Sequence, residues 1–382
     1  MSRKKILVFI DWYLPGYKAG GPIQSVANMI EHLKDEFDFA VVTSDTDLHE
    51  KEPYKNITSN KWTTAPDGTR TYYFSQGALT SKALKELIYA ERADYIYLNS
   101  LFSLKFTLLP LYIRKKYLPT RKVVLAPRGM LGKGALNIKP GKKKTFLFAS
   151  RLIGLYKDIN WHASTHLEES EIKGVFGKKT KVITAVNLTA HRTPHFQQKV
   201  KKENECRLVF ISRIASKKNI LPVLFALYKL PSEIKVTFDI YGPIDDAAYW
   251  QQCEEVIRSA PSNIQISYRG AIENAQVQQT LSTYHFSVLY TQHENFGHSI
   301  VESMAAGCPV IISDQTPWRN LAAKKCGWDV PITDENKLFK VLKQACIISQ
   351  GEYDEWSHSA LTFASGVIND KNAIEANRSL FR

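Results

Sequence analysis

The chain of 382 residues predicts two doubly wound α/β domains. Three observations carry this. Short β-rich runs alternate with helical stretches, and the alternation starts twice. The length suits two cores of roughly 180 residues better than one. A polar stretch, TAHRTPHFQQKVKKENE (189–205), separates the two series as a linker would. The expected division is a first domain over 1–188, the linker over 189–205 and a second domain over 206–368.

In the first series KILVFI (5–10), FAVVT (39–43), TYYF (71–74), YIYL (95–98) and KVVLA (122–126) read as buried strands. Helices are expected over Pro22–Leu33, Ser81–Tyr89, Ser103–Lys116 and Lys142–Tyr156. Pro22, after Gly20-Gly21, suits a first helical turn. The second series offers RLVFIS (207–212), KVTFDIY (235–241), IQISY (264–268), FSVLY (286–290) and PVIIS (309–313) as strands. Apolar runs this continuous belong to parallel sheets covered on both faces. Ligands of such sheets sit beyond the carboxyl ends of the strands, and a cleft between two such domains is a natural site. The residues to inspect are therefore those just after each strand.

Composition narrows the class. No apolar run reaches the ~20 residues of a membrane span. The apolar part of MSRKKILVFID is too short for a signal peptide and is interrupted by Asp11, so a cytoplasmic protein is expected. The five cysteines are odd in number, lie in the second half and form no C-x-x-C pair, which disfavours a disulfide framework or zinc site. The formal charge of +14 is unevenly placed: residues 1–195 hold 31 Lys+Arg against 17 Asp+Glu, and residues 196–382 hold 20 against 20. From Leu101 to Lys157 there are 14 basic side chains and no acidic one. Nucleic acid and an anionic membrane surface both suit such a field. The interleaving of Phe, Leu and Tyr with Lys and Arg in this span favours the membrane, although a helix of such a domain must bury an apolar face in any case.

The most informative stretch is HENFGHSIVESMAAGCPVIISD (293–314). Asn295-Phe296-Gly297 reads as a turn, followed by a helix over Ser299–Ala306 closed by Gly307. The first free N–H groups of that helix suit an anion, with His298 and Ser299 at its start. Glu294 before the turn and Glu302 about one helical turn in could accept hydrogen bonds from hydroxyls at opposite ends of one elongated ligand. Spacing alone leaves a second reading open, because the helix dipole favours an acid in a first turn anyway. In ISRIASKKNI, Arg213 and Lys218 follow a strand and suit neutralisation of a diphosphate; Lys217 competes with Lys218 for that role, and a solvated basic pair is the plain alternative.

Together, Arg213–Lys218, Glu294-x7-Glu302 with NFG and AAGCPVI, and the Gly20-Gly21 loop resemble the retaining GT-B glycosyltransferases of family GT4 (glycosyl transferases group 1) over nearly the full chain. PGYKAGGP, APRGML (126–131), IYGP (240–243) and SDQTPW (313–318) are similar to its polysaccharide-assembly, O-antigen-type branch. The resemblance implies a hexose-type sugar moved with retention from a nucleotide-diphosphate sugar to a glycan acceptor, with no cofactor and no metal. It implies that Glu294 binds donor-sugar hydroxyls beside the backbone of Asn295, Phe296 and Gly297, and that Glu302 binds the ribose. Arg213 and Lys218 would hold the diphosphate, with Gly20, Gly21 and Gly242 lining the donor path. It also implies that a helix over 369–382 returns to the first, acceptor-binding domain. With the basic half, it suggests an undecaprenyl-diphosphate-linked glycan acceptor at the cytoplasmic face of an anionic inner membrane.

The chain departs from the family in two places. Asn187 in ITAVNLTAH is the only echo of the Pro-Asn-Gly segment, and Pro127-Arg128-Gly129 stands where many members have a histidine near the reacting sugar. Asn99 and Arg128 are accordingly candidates on the acceptor side, with strand-end capping as the plain reading of Asn99. Asp45-Thr-Asp47 spells the metal signature of the other large glycosyltransferase fold, which the two-domain pattern contradicts. The rival readings are a GT-B relative with altered chemistry (a sugar-nucleotide epimerase or an inactive scaffold) and a basic nucleic-acid-binding protein, for which no recognised module is present.

Overall fold

The computed structural model describes residues 3–132, 136, 140–190 and 197–382. The chain divides into two compact units, Met1–His191 with Asp370–Arg382, and Arg192–Asn369.

In the first unit, β1 (Lys4–Ile10), β2 (Phe37–Ser44), β3 (Trp62–Thr64), β4 (Arg70–Phe74), β5 (Tyr95–Asn99), β6 (Lys122–Ala126), β7 (Asn160–Ala163) and β8 (Val182–Thr184) form one sheet in the order β3-β4-β2-β1-β5-β6-β7-β8. Every pairing is parallel except β3 with β4. Alternate residues of β1 serve opposite faces, as the two-residue period of a strand requires. Leu7 and Phe9 join Leu84, Leu98 and Trp161. Ile6 and Val8 join Val26, Met29 and Phe381. Phe381 follows the helix Lys371–Ser379, and its ring meets those of Phe37, Phe39, Tyr95 and Tyr97, so the chain terminus completes this core.

In the second unit, β9 (Glu205–Ile211), β10 (Lys235–Tyr241), β11 (Ile264–Gly270), β12 (Phe286–Leu289), β13 (Val310–Ser313) and β14 (Gly327–Val330) are all parallel, in the order β11-β10-β9-β12-β13-β14. β9 and β12 are therefore neighbours, and the loops after them emerge side by side.

Two helix expectations need revision. The helix expected over Ser103–Lys116 opens as a wide π turn, Leu104–Leu108, before Leu109–Tyr117 runs as an α-helix. Pro110 has no amide to donate, so the ladder before it takes longer steps, Leu108 N to Ser103 O and Leu109 N to Leu104 O. The helix expected over Lys142–Tyr156 spans Pro140–Leu152, and Gly154 then turns the chain with φ of +59°. Part of the expected linker, 191–196, lies outside the described residues, as do 133–135 and 137–139 of the basic span. The remainder of the linker is not free. Lys199 and Lys201 are buried, and their ammonium groups donate to carbonyls at helix ends: Lys199 to Gly307 at 2.8 Å and Lys201 to Cys346 at 2.7 Å.

Candidate functional site

The second unit brings the loops after four adjacent strands together. Arg213 follows β9, Gly242 follows β10, Glu294 follows β12, and Asp314-Gln315 follows β13. Lys218 ends a short 3₁₀ turn, Ser216–Lys218. Its Nζ lies 2.5 Å from Glu294 Oε2. Side-chain exposures of 9% for Lys218 and 22% for Glu294 make this an enclosed pair rather than a surface one. Burial pulls the Glu294 carboxyl upward, and Lys218, Lys217 and His298 more than offset it, so the pKa lies below the ordinary carboxylate value.

Backbone bonds fix the same approach. The Lys217 carbonyl accepts from Gln292 N (2.8 Å) and Thr291 Oγ1 (3.0 Å), and Glu294 N donates to Gln315 O (2.9 Å). Trp318 Nε1 donates to Phe296 O (2.5 Å), and the Trp318 ring packs edge-on against buried Phe296 at 5.3 Å. The SDQTPW segment thus holds the NFG turn from one side. Asn295 Oδ1 accepts from the His293 ring Nε2 at 2.9 Å. Gly297 has φ of +80°, and a Cβ there would lie 2.6 Å from Ile300 Cδ1. It begins the helix His298–Ala305, with His298 buried, Ser299 half-buried and its carbonyl accepting from Ser303 Oγ, and Glu302 half-buried one turn on.

Arg213 is taken up by a residue that sequence reading missed. Its Nη1 donates to Asp245 Oδ2 at 2.9 Å. Asp245 sits three residues beyond Gly242, in a loop zipped to the Arg213 loop by Ile214 N to Pro243 O and Asp245 N to Ile214 O. An acid after the strand neighbouring β9 was the available signal. Lys217 and Lys218, alternatives for the diphosphate in the sequence, take different places. Lys218 faces Glu294, while Lys217 reaches solvent among crowding protein. Burial first, then Arg213 and Lys218, bring the Lys217 ammonium down to about 8.

In the first unit, the candidates lie at or just beyond the carboxyl ends of the adjacent strands β1, β5 and β6. Gly20, with φ of +69°, caps the helix Gly21–Leu33, whose first turn holds Pro22. Asn99 and Arg128 are brought together. Arg128 Nη2 donates to Asn99 Oδ1 at 2.8 Å and to Tyr97 Oη at 2.8 Å, and Nη1 donates to Asn187 Oδ1 at 2.6 Å. Behind them, Tyr97 Oη lies 2.7 Å from His162 Nδ1, and His162 Nε2 lies 2.8 Å from Ala185 O. Burial, then the Arg128 charge, hold the His162 pKa at about 3, so the ring is neutral. A carbonyl only accepts, so Nε2 carries the proton and Nδ1 accepts from Tyr97. The echo residue Asn187 thus belongs to the same knot as Arg128. Asp45 and Asp47 are used locally: Asp45 accepts from Ser59 Oγ, and Asp47 from the backbone of Tyr17, Lys18 and Leu48. Among the described residues no group of three His, Cys, Asp or Glu is arranged to hold a metal ion.

Residues 191–346 match the family model Glycosyl transferases group 1. No relative of curated function matches the sequence. Among solved structures, sucrose-phosphate synthase from Thermosynechococcus elongatus is similar with a TM-score of 0.70 at 15% identity, covering 100% of this chain and 98% of that one. Anabaena HepE in complex with UDP and glucose is similar with a TM-score of 0.69 at 14% identity, covering 99% and 98%. WaaG, a glycosyltransferase involved in lipopolysaccharide biosynthesis, gives 0.63 at 12% identity, covering 97% and 98%. The chain has the GT-B fold of two Rossmann-like α/β units, and the family match falls on the unit that carries Arg213, Lys218 and Glu294.

Proposed function

We propose that the protein is a retaining, metal-independent glycosyltransferase that moves a hexose-type sugar from a nucleotide-diphosphate sugar to a lipid-linked glycan in bacterial surface polysaccharide assembly. The observation that carries the reading is the enclosed Lys218–Glu294 pair at the carboxyl ends of β9 and β12, with Arg213 and Lys217 beside it. HepE with bound UDP and glucose and WaaG in lipopolysaccharide biosynthesis support the donor class and the setting.

In the proposed reaction, the bond between the anomeric carbon and the diphosphate oxygen breaks with its electron pair on the diphosphate. Arg213, Lys217 and Lys218 stabilise that charge. The acceptor oxygen bonds to the same face of the carbon, and its proton passes to the leaving phosphate. Glu294 orients donor hydroxyls and Glu302 the ribose; neither carboxylate attacks carbon, unlike the retaining hydrolase scheme. In the free protein Arg213 is paired with Asp245 and Lys218 with Glu294, so the diphosphate competes with two carboxylates for its cations.

The test is nucleotide release from a panel of UDP-, GDP- and dTDP-sugars, with and without lipid-linked acceptor. Acceptor-dependent release from one donor supports the reading. Isomerised donor without transfer indicates the epimerase alternative, and no donor-induced thermal shift at all overturns nucleotide-sugar binding.

A pH dependence follows from Lys217. Its charge is present below about 8 and lost above, so donor affinity of the free protein should fall as pH rises through that value. Lys217→Arg, permanently charged, should flatten the fall. Donor Kd measured calorimetrically across that range checks it, and an unchanged alkaline slope in the arginine variant removes Lys217 from the diphosphate site.

A further inference from the structure

We propose that the outward face of the helix Pro140–Leu152, with the turn that follows it, is a docking surface for an anionic phospholipid bilayer. The helix is apolar on two sides. Leu147 and Ser150 face inward and are buried, and Phe146 meets the ring of Phe102 at 5.7 Å. On the outside, Phe148 is 66% exposed and Leu152 72%, and Ile153 in the next turn is 63% exposed. Phe148 and Leu152 are one helical turn apart and stand on the same face. A helix covering a sheet needs only its inner stripe apolar, and its outer face is ordinarily polar. Leu104, 72% exposed, adds a fourth large apolar side chain, two residues from Phe102.

The turn is held in place. Lys115 Nζ donates to the carbonyl of Gly154 at 3.1 Å and to that of Ile153. Tyr156 Oη donates to Leu101 O at 3.0 Å. These bonds tie the segment after the helix to the chain around Leu101 and to the helix Leu109–Tyr117, so the exposed apolar groups ride on a fixed base.

Charge selects the occupant. Lys144 lies one turn before Phe148 on the same face, Arg151 lies beside Leu152, and Lys142 and Lys157 are exposed at either end. Leu101–Lys157 has no carboxylate that would repel lipid phosphate. Arg114 turns inward, donating to Arg121 O and Asp158 O, and Arg128 is spent on Asn99, Asn187 and Tyr97, yet the outer cations remain. A second copy of the same face would oppose like charges. Nucleic acid would use the cations but leave Phe148, Leu152 and Ile153 without a partner. A bilayer surface uses both, with apolar tips at the headgroup boundary and ammonium groups on lipid phosphate. The proposal stands beside the lipid-linked acceptor reading without needing it.

The test is co-sedimentation of the full chain with phosphatidylcholine vesicles, with and without phosphatidylglycerol, in low and high salt. Wild-type protein should bind the anionic vesicles at least about tenfold more tightly than the neutral ones, and salt should weaken the binding. Phe148→Ser with Leu152→Ser should lose most of it, as should Lys144→Glu with Arg151→Glu. Both pairs are exposed, so melting temperature and donor-induced thermal shift should stay as in wild type. Unchanged vesicle binding in both double variants overturns the proposal. So does equal binding to neutral vesicles, or a solution dimer that the serine pair abolishes. None of these results touches nucleotide-sugar binding, which the thermal shift reads separately.

Discussion

Glu294→Ala should lower kcat/KM for sugar transfer by about 10²–10³, the usual loss on removing one fixed polar contact at a reacting centre. Two effects combine. On the proposed reading the donor sugar loses the carboxylate that orients its hydroxyls, and Lys218 is left enclosed without its partner at 2.5 Å. Breaking an enclosed pair from one side is costlier than removing both members. Lys218→Met should therefore also be strongly impaired, and the double variant should lose less than the product of the single losses. Glu294→Gln separates charge from shape, since it keeps the outline and one acceptor oxygen while removing the charge and turning the other oxygen into a donor. The acid side of the stability profile supplies a second readout. Glu294 has its folded pKa below the ordinary value of 4.5, so its contribution is full above that value and is lost as pH falls through the folded pKa. The glutamine variant should lack this acid-side loss. Wild-type transfer by the alanine variant would remove Glu294 from the donor site.

What was legible in the sequence follows from the length and burial of each element. β1, β2, β5, β9 and β10 are five- to eight-residue strands with buried apolar runs, and their positions could be read directly. β3 (WTT), β7 (NWHA), β8 (VIT) and β14 (GWDV) have three or four residues each and little apolar continuity, so only their partners in the sheet identify them. The candidate site divides in the same way. Glu294, the NFG turn and Glu302 lie in one continuous stretch, and their spacing was visible. The Lys218–Glu294 pair spans 76 positions and Arg213–Asp245 spans 32, and no local pattern encodes either. Arg128 illustrates the limit. As an arginine in a basic stretch it carried no sign of its partners, yet Tyr97, Asn99 and Asn187 converge on it from β5 and from the segment after β8.

Gly242→Ala should be the most destabilising small substitution at the candidate site, by about 2–6 kcal/mol from backbone strain and overpacking together. Gly242 directly follows β10 with φ of +141°, a conformation that L residues rarely adopt. A Cβ there would lie 1.8 Å from the Ser212 carbonyl oxygen and 2.7 Å from its carbon. Neither is a flexible side-chain tip. Both belong to the backbone that leads from β9 into Arg213, so relief of the clash must move the Arg213 loop or β10. Gly242 N donates to Gly270 O at 2.8 Å, and Tyr268 Oη donates to Gly242 O at 3.0 Å, so β11 is drawn in as well. Gly270 provides the comparison. Its φ is +79°, but a Cβ there would meet nothing within 4 Å. Gly270→Ala therefore carries the conformational cost alone, about 1 kcal/mol. Denaturant unfolding of the two variants separates crowding from dihedral strain. For a unit of this size the Gly242 variant should melt lower by on the order of 10 °C. Equal losses at both positions would mean that the approach of Ser212 contributes nothing. If the variant folds, a loss of donor affinity beyond its stability loss would place the Arg213 loop, and not β10, as the part that yields.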